Sequence, residues 1–416
     1  MVTRKQVKLK QAHGNWVTGD RFWDREEEID LFRRKTREGA HLLLVAQRRM
    51  GKTSLMKEIA RRLSDEFECV FVDFQNATTP QDAIAELSLA LRPHKSLWLR
   101  GRELFANVLD RVEKIGSEDL GITLRAGLAG GNWASKGDEL FAILAEAEKP
   151  VLLLMDEVPI LVNRIIKGEE YIITPERRRI ASEFMSWLRK NSQRHQGKAR
   201  IVISGSIGFE PVLRQANLSG TINNFVPFEL KPWSDDTAIG CLRALAQQYG
   251  LKYRDGAESE MVRLLGCCIP HHVQMFFDHA QTYRVRNKLT ELGPQEVAEV
   301  YQTEMLSTRG HAELTHYEER LKLVLGIAKM ALALDMITEA AVSGHLTKGA
   351  IMRLQQDYDF DKEPTADVQK EILWILEHDG YLTQAPEGYV FVSNLLRDWW
   401  RNRYQMFFTP VLKRGE

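Results

Sequence analysis

Cysteine is scarce in this sequence. Four occur in 416 residues, at 69, 241, 267 and 268, with no C-x-x-C pair. That excludes a disulfide framework and argues against structural zinc. Net charge is missing too: 57 Lys and Arg stand against 57 Asp and Glu. A balance of this kind speaks against a chain-wide surface for nucleic acid or for a membrane. No apolar run approaches the ~18 residues of a membrane span, and the basic start MVTRKQVKLKQAHGNW has no apolar signal-peptide stretch. Repeats and low-complexity tracts are also lacking. What is present is ordinary globular composition, 44% hydrophobic and 27% charged, which rules out wholesale disorder, collagen or coiled coil. At about 150 residues per domain the length suggests two or three domains. The chain reads as soluble, reduced and cytoplasmic.

The strongest local pattern is HLLLVAQRRMGKTSLMKEIARRL, residues 41–63. Leu42–Val45 is a short apolar run suited to a parallel strand buried on both faces. A polar loop follows, and then Leu55, Ile59 and Leu63 recur at helical spacing. Strand, Gly-Lys-Thr loop and helix are the context of a phosphate-binding P-loop. Gly51 lets the backbone approach phosphates, and the amides opening the helix point at them with the helix dipole behind. Lys52 brings a charge to the β- and γ-phosphates, and the Thr53 hydroxyl can ligate Mg²⁺. Arg49, Met50, Gly51, Lys52, Thr53 and Ser54 are therefore the expected nucleotide contacts. One departure from G-x-x-x-x-G-K-[ST] is Ala46 at the first glycine, which fits only if its φ is negative.

PVLLLMDEVPIL, residues 150–161, predicts a second buried strand ending in Asp156 and Glu157, about 105 residues beyond Lys52. Ligands of open α/β sheets bind at such strand ends. Asp156 would hold Mg²⁺, directly or through water, and Glu157 would polarise the attacking water as a general base. ARIVISGSIGF (199–209) predicts a third strand, followed by Ser206, which can contact the γ-phosphate or the water. CVFVDFQNATT (69–79) reads as a fourth. Helical patterns at Asp82–Leu91 and Arg178–Lys190 separate these strands, which gives an α/β doubly wound parallel sheet as the fold class.

These residues resemble a known family. GDRFWDRE (19–26), QRRMGKTSL, LLLMDE and ISGSIGFEP are similar to the archaeal-type, STAND-like branch of the AAA+ P-loop ATPases. Downstream, FELKPWSDDTA (228–238) resembles the start of that family's helical lid. GCCIPHHVQ (266–274) looks like its Gly-x-Pro lid helix, and YVFVSNLLRDWW (389–400) like the close of a winged helix. The resemblance implies that Phe22 and Arg25 pack against adenine and that Pro270 closes over the base. It also implies ATP and ADP as ligands, with Mg²⁺. Many relatives carry a winged-helix histidine that senses the β-phosphate; here that stretch is Val392-Ser393-Asn394, and His271 or His272 could substitute.

On this reading the P-loop ATPase domain spans 16–227, the helical lid 228–310 and the winged helix 311–416. Within the first, residues 92–140 are atypical. Gly127, Gly130 and Gly131 do not match a dinucleotide fingerprint, and an inserted β-hairpin is the expectation. Two β-like runs around Ala385-Pro386-Glu387-Gly388 form the wing pattern.

The zero net charge hides segregation. Residues 1–70 hold 16 Lys and Arg against 11 Asp and Glu, residues 176–200 hold 8 against 2, and residues 311–416 hold 12 against 16. In 176–200, Ile180, Phe184 and Leu188 space as a core face, leaving Arg178, Arg179, Arg189 and Lys190 to solvent. Three readings stay open: a solvated face, an arginine finger (Arg194 ahead of Arg189) serving a neighbouring protomer as in AAA+ relatives, or phosphate contacts with nucleic acid.

The sum is an ATP-binding, slowly hydrolysing molecular switch that signals nucleotide state to an unidentified protein partner through lid and winged helix. It would have no membrane attachment and a nucleotide-dependent homo-oligomer as one option. The alternative is a DNA-associated loader or regulator resembling origin-recognition or transposition ATPases. A scaffold that binds ADP without hydrolysis is disfavoured by Glu157.

Overall fold

The computed structural model describes residues 9–12, 14–105, 121, 124, 125, 127, 128, 131–307, 311–360 and 365–414. Their contacts divide the chain into two compact units. The first comprises Arg25–Val45 and Leu55–Leu230. Its elements in chain order are α1 (Glu26–Arg37), β1 (His41–Val45), α2 (Lys52–Arg62, whose first turn groups with the second unit), β2 (Glu68–Asp73), α3 (Pro80–Ala90) and α4 (Lys95–Glu103). There follow α5 (Trp133–Ala145), β3 (Val151–Asp156), α6 (Val158–Lys167), α7 (Pro175–Arg194), β4 (Ala199–Ile203), α8 (Phe209–Gln215) and β5 (Phe225–Glu229).

The five strands form one parallel sheet in the order β2-β3-β4-β1-β5. The apolar runs behave as parallel strands covered on both faces should: all of β3 and β4, and four of five β1 residues, are buried. Because every strand points the same way, all the loops that follow strands lie along one sheet edge. Because β4 stands between β1 and β3, the loop after β4 lies between the ends of those two strands on that edge. On one flank α5 and α7 meet at Gly137, where a Cβ would stand 2.4 Å from the Trp187 ring. Only glycine permits that approach.

The β-hairpin expected within 92–140 is not found among the described residues. α4 and α5 occupy the two sides of that stretch, and Gly121, Leu124, Arg125 and Gly127 are helical. Leu124 and Leu128, four apart, are both buried, the spacing of one helix face. The glycines suggested a turn, and this apolar spacing overrides them. Residues 106–120, 122, 123, 126, 129 and 130 of that expectation lie outside the described residues.

The second unit comprises Met1–Asp24, Ala46–Ser54 and Lys231–Glu416. It contains α9 (Asp235–Tyr249), β6 (Lys252–Tyr253), α10 (Ala257–Leu265), α11 (Pro270–Arg286), β7 (Glu291–Leu292) and α12 (Pro294–Val300). Next come α13 (His311–Ser343), α14 (Lys348–Gln355), α15 (Thr365–His378), β8 (Leu382–Ala385), β9 (Gly388–Phe391) and α16 (Asn394–Tyr404). Sequence chemistry sets several ends: Ser234 caps α9 by accepting from Thr237 N, and Gly250 and Gly266 end α9 and α10 in left-handed conformation. α13 is bent at Gly326, whose φ of 75° is not helical. β8 and β9 pair antiparallel around the turn-rich 385–388 loop. Trp399 and Trp400 are buried beneath them, and the Trp400 indole donates to Thr338 Oγ1 at 3.2 Å. No disulfide joins the four cysteines. Among the described residues no helix is long and apolar enough to cross a membrane.

Candidate active site

The chain leaves β1 at Val45, passes through Ala46–Gly51 and enters α2 at Lys52. The left-handed backbone of this loop falls on Arg49 (φ 67°) and Gly51 (φ 88°), not on Ala46. Alanine at the first position therefore meets no steric objection. A left-handed residue in such a loop turns successive N–H groups toward one concavity, the geometry that holds phosphate. Arg49 bears a strain on the order of 1 kcal/mol in that conformation. Lys52 is buried, and its ammonium donates to Ala46 O at 2.8 Å and Gln47 O at 3.0 Å. The charge is thus fixed on the loop's own carbonyls. Met50 is buried, and Ser54 Oγ accepts from Val17 N at 3.1 Å. Thr53 lies in the first turn of α2. Gln47 packs on Gly380 (φ 78°), where a Cβ would come within 2.4 Å of its side chain.

The carboxylates belong to the sheet. Asp156 ends β3 buried, and its Oδ1 accepts from Glu157 N at 3.1 Å. Glu157 itself has φ 59°, a left-handed non-glycine residue at the junction of β3 and α6. Ser206 donates to Glu157 Oε2 twice, from N at 2.9 Å and from Oγ at 3.0 Å. Two donors on one oxygen orient the carboxylate. Gly205 makes room for this: a Cβ there would lie 2.5 Å from Pro159 Cδ in α6.

Two groups on the sheet edge escaped sequence reasoning. Asp73, the last residue of β2, is the register partner of Asp156. Lys57 on α2 feels both carboxylates, while burial, the larger influence, lowers its pKa. Its ammonium stands 3.8 Å from the Phe71 ring centroid. The signal was available: Lys57 follows Thr53 by four residues, one helical turn.

The residues implied by resemblance are placed as follows. Arg25 is buried at the start of α1 with φ 75°, ion-paired to Glu28 at 2.6 Å. Phe22 is half-buried, and the neighbouring Trp23 indole donates to Thr237 O at 3.2 Å, so this segment packs on α9. Pro270 is the first residue of α11 and is buried. Ser393 caps α16 and donates to Leu265 O at 3.4 Å, while Asn394 donates to Arg263 O at 3.3 Å. Both thus tie α16 to the end of α10. His271 and His272 lie in the first turn of α11, His272 fully buried.

On α7, Arg178, Arg179 and Lys190 are exposed and Phe184 and Leu188 buried, as the periodicity predicts; Ile180 and Arg189 are half-buried. The surplus charge is mostly met by carboxylates. Arg179 pairs with Glu176 at 2.7 Å and with Glu183, Arg177 with Glu170, and Lys190 with Asp138 at 2.6 Å. Arg194 is 3.9 Å from the same Asp138, and Arg189 donates to Gly220 O at 2.7 Å. α7 leads into the start of β4, so Arg194 lies at the sheet edge opposite Asp156 and Ser206.

The fold is that of a P-loop NTPase core followed by a helical C-terminal region. The chain is similar to the Walker-type ATPase of Pyrococcus abyssi, with a TM-score of 0.59 and 16% identity over 93% of this chain and 98% of that one. It is also similar to the ORC2 protein of Aeropyrum pernix, solved in ADPNP-ADP complexes, with a TM-score of 0.54 and 15% identity over 96% of each chain. At such identities the likeness is one of fold. No protein-family model and no curated protein matches the sequence.

Proposed function

We propose that this protein binds Mg·ATP and hydrolyses it slowly, as a molecular switch whose state a protein partner reads through the lid and a C-terminal winged helix. The observation that carries the reading is the Glu157–Ser206 pair. A carboxylate held by two donors at the C-terminal end of a parallel strand is a preset general base. It stands on the edge where β1 also ends and the P-loop departs.

The remaining roles follow from the same chemistry. Lys52, now on loop carbonyls, exchanges those partners for β- and γ-phosphate oxygens, and the loop amides around Arg49 and Gly51 take the rest. Glu157 accepts a proton from the attacking water, and Ser206 keeps its carboxylate aimed. Asp156 and Thr53 are hard oxygen donors that fit magnesium. An ion at such a site is held mainly by phosphates and water, with one or two protein oxygens. Bound magnesium supplies neutralising charge to the phosphates. Phe22, Arg25 and Pro270 are proposed to hold the base. Arg194 lies at the sheet edge opposite its own carboxylates, so it is proposed to act only on a neighbouring protomer.

Glu157→Gln keeps nucleotide affinity and loses turnover by about 10²-fold or more, read by equilibrium binding and by phosphate release. Undiminished turnover in that variant would remove Glu157 from the mechanism.

A further inference from the structure

A second polar cluster lies within the unit that holds the P-loop. Arg49 Nε donates to His316 Nε2 at 3.4 Å, and Arg48 Nη1 donates to the His316 carbonyl at 3.4 Å. Because Arg49 can only donate, His316 Nε2 is the bare nitrogen and the ring is neutral. His316 stacks on Tyr317, with centroids 4.9 Å apart. Tyr317 in turn meets Tyr381 (5.6 Å) and His272 (6.4 Å), and His272 meets His271 (6.0 Å). Two arginines from the loop and two histidines from α11 thus act on one imidazole, and Arg320, one turn along α13, acts on Arg48. Of the nearest acids on its own helix, Glu318 is paired with Arg403 at 3.3 Å and Glu319 is exposed.

The electrostatics agree with the geometry. Burial first, then Arg48, Arg49, His271 and His272, hold the His316 pKa down to about 2. Burial first, then Arg320 and Arg49, lower that of Arg48 to about 10, with Tyr317 and Tyr381 acting in the opposite sense. After burial, the charges that act on His316 are all cationic or histidine groups, and those on Arg48 are two arginines and two tyrosines. Cations collected in a half-buried place gain most from an anion. The sequence makes Arg48 and Arg49 part of the P-loop itself, so the phosphate that this loop would hold is an anion within their reach, beside Asp379, the buried acid that acts with Arg48 on Tyr381.

We propose that Arg48, Arg49 and His316, with Arg320 and His271 behind them, form a subsite for the terminal phosphate of bound nucleotide, and that His316 takes up a proton as the phosphate arrives. The inference rests on the P-loop reading. The proton comes from solvent and goes to His316 Nε2. Once protonated, that nitrogen no longer accepts from Arg49, so the Arg49 Nε–H is released to a phosphate oxygen while His316 becomes a further donor. Nucleotide binding and proton uptake are therefore one event. The α13 helix registers it as a change of charge and partner at its own His316.

The test is calorimetric titration of the full chain with Mg·ATP in buffers of different ionisation enthalpy, from pH 6 to 8, with wild type beside His316→Gln. Glutamine keeps an acceptor for Arg49 and cannot titrate in this range. The wild type is expected to take up more protons than the variant. Its affinity should also rise relative to the variant as pH falls, by up to about tenfold per pH unit. Equal uptake at every pH overturns the proton-linked subsite while leaving the P-loop reading intact. No Mg·ATP binding by the wild type overturns both. If His316→Gln does not fold, His316→Asn, which cannot titrate either, reads the same linkage; proton uptake by that variant equal to the wild type's overturns the proposal.

Discussion

His41 shows what a single residue can do that a sequence pattern does not announce. It begins β1 almost fully buried; its Nδ1 accepts from Ile201 N at 3.0 Å, and its Nε2 therefore donates to Ser192 O at 3.1 Å. The neutral ring satisfies both strand and helix neighbours, and burial, more than nearby Arg200, lowers its pKa. A histidine whose folded pKa lies below its unfolded value of about 6.5 contributes stability that is present above that value. That stability is lost as pH falls through and below it. Between pH 7.5 and 5.5 the urea midpoint should drop, with His41 contributing up to about 1.4 kcal/mol per pH unit below 6.5. His41→Gln should flatten the slope, and an unchanged slope would show that the ring does not titrate on unfolding. At this scale the contiguous parts of the site were legible, because Gly51, Lys52 and Thr53 adjoin one another and Asp156 adjoins Glu157. His316 was not legible. It reaches Arg49 from 267 positions away in the chain, and no local pattern encodes that meeting. The left-handed backbone of Arg49 and Glu157 was equally hidden, since neither residue type favours it.

Between elements, the junction of β3, α6 and the loop after β4 sets the catalytic geometry. Gly205 fits against Pro159 with no room for a methyl group. Gly205→Ala should cost about 1–3 kcal/mol from overpacking and should lower turnover by moving Ser206 from Glu157, while nucleotide affinity changes little. Thermal unfolding and phosphate release measured together check this, and full activity in a destabilised variant would separate the loop from the chemistry. Strands were read well from sequence because burial on both faces leaves an unbroken apolar run, as in Val151–Met155. Among the described residues the expected hairpin is not found, for a related reason. Three glycines were taken as punctuation where Leu124 and Leu128 set a helical period. α7 lies between these cases: its buried face followed from periodicity, but its ion pairs with Asp138 and Glu170 come from other elements and could not be counted along the helix.

For the whole molecule, that pairing changes what zero net charge means. The 176–200 excess looked like a surface seeking a polyanion, but Arg177, Arg179 and Lys190 already have carboxylate partners. Exposed pairs of this kind add little stability, yet they reduce the field offered to phosphate. Binding to a DNA duplex, followed by anisotropy from 50 to 200 mM salt, should give a log–log slope shallower than about −3, the value of roughly three phosphate contacts. It should also be insensitive to Arg178→Glu with Arg179→Glu. A slope near −6 or steeper that collapses in the double variant would favour the DNA-associated alternative. The sequence predicts three domains, 16–227, 228–310 and 311–416, each a continuous stretch of chain. That residues 46–54 group with residues 231–416 is a tertiary fact with no sequence signature.

The meeting of Gln47 with Gly380 has a historical consequence. Position 380 needs a left-handed backbone and has no space for a Cβ while a long side chain stands at 47. Neither site can drift alone. Among descendants of a common ancestor, a side chain at 380 should arise only where 47 has become small, so that the two columns of an alignment would change together although 333 positions separate them.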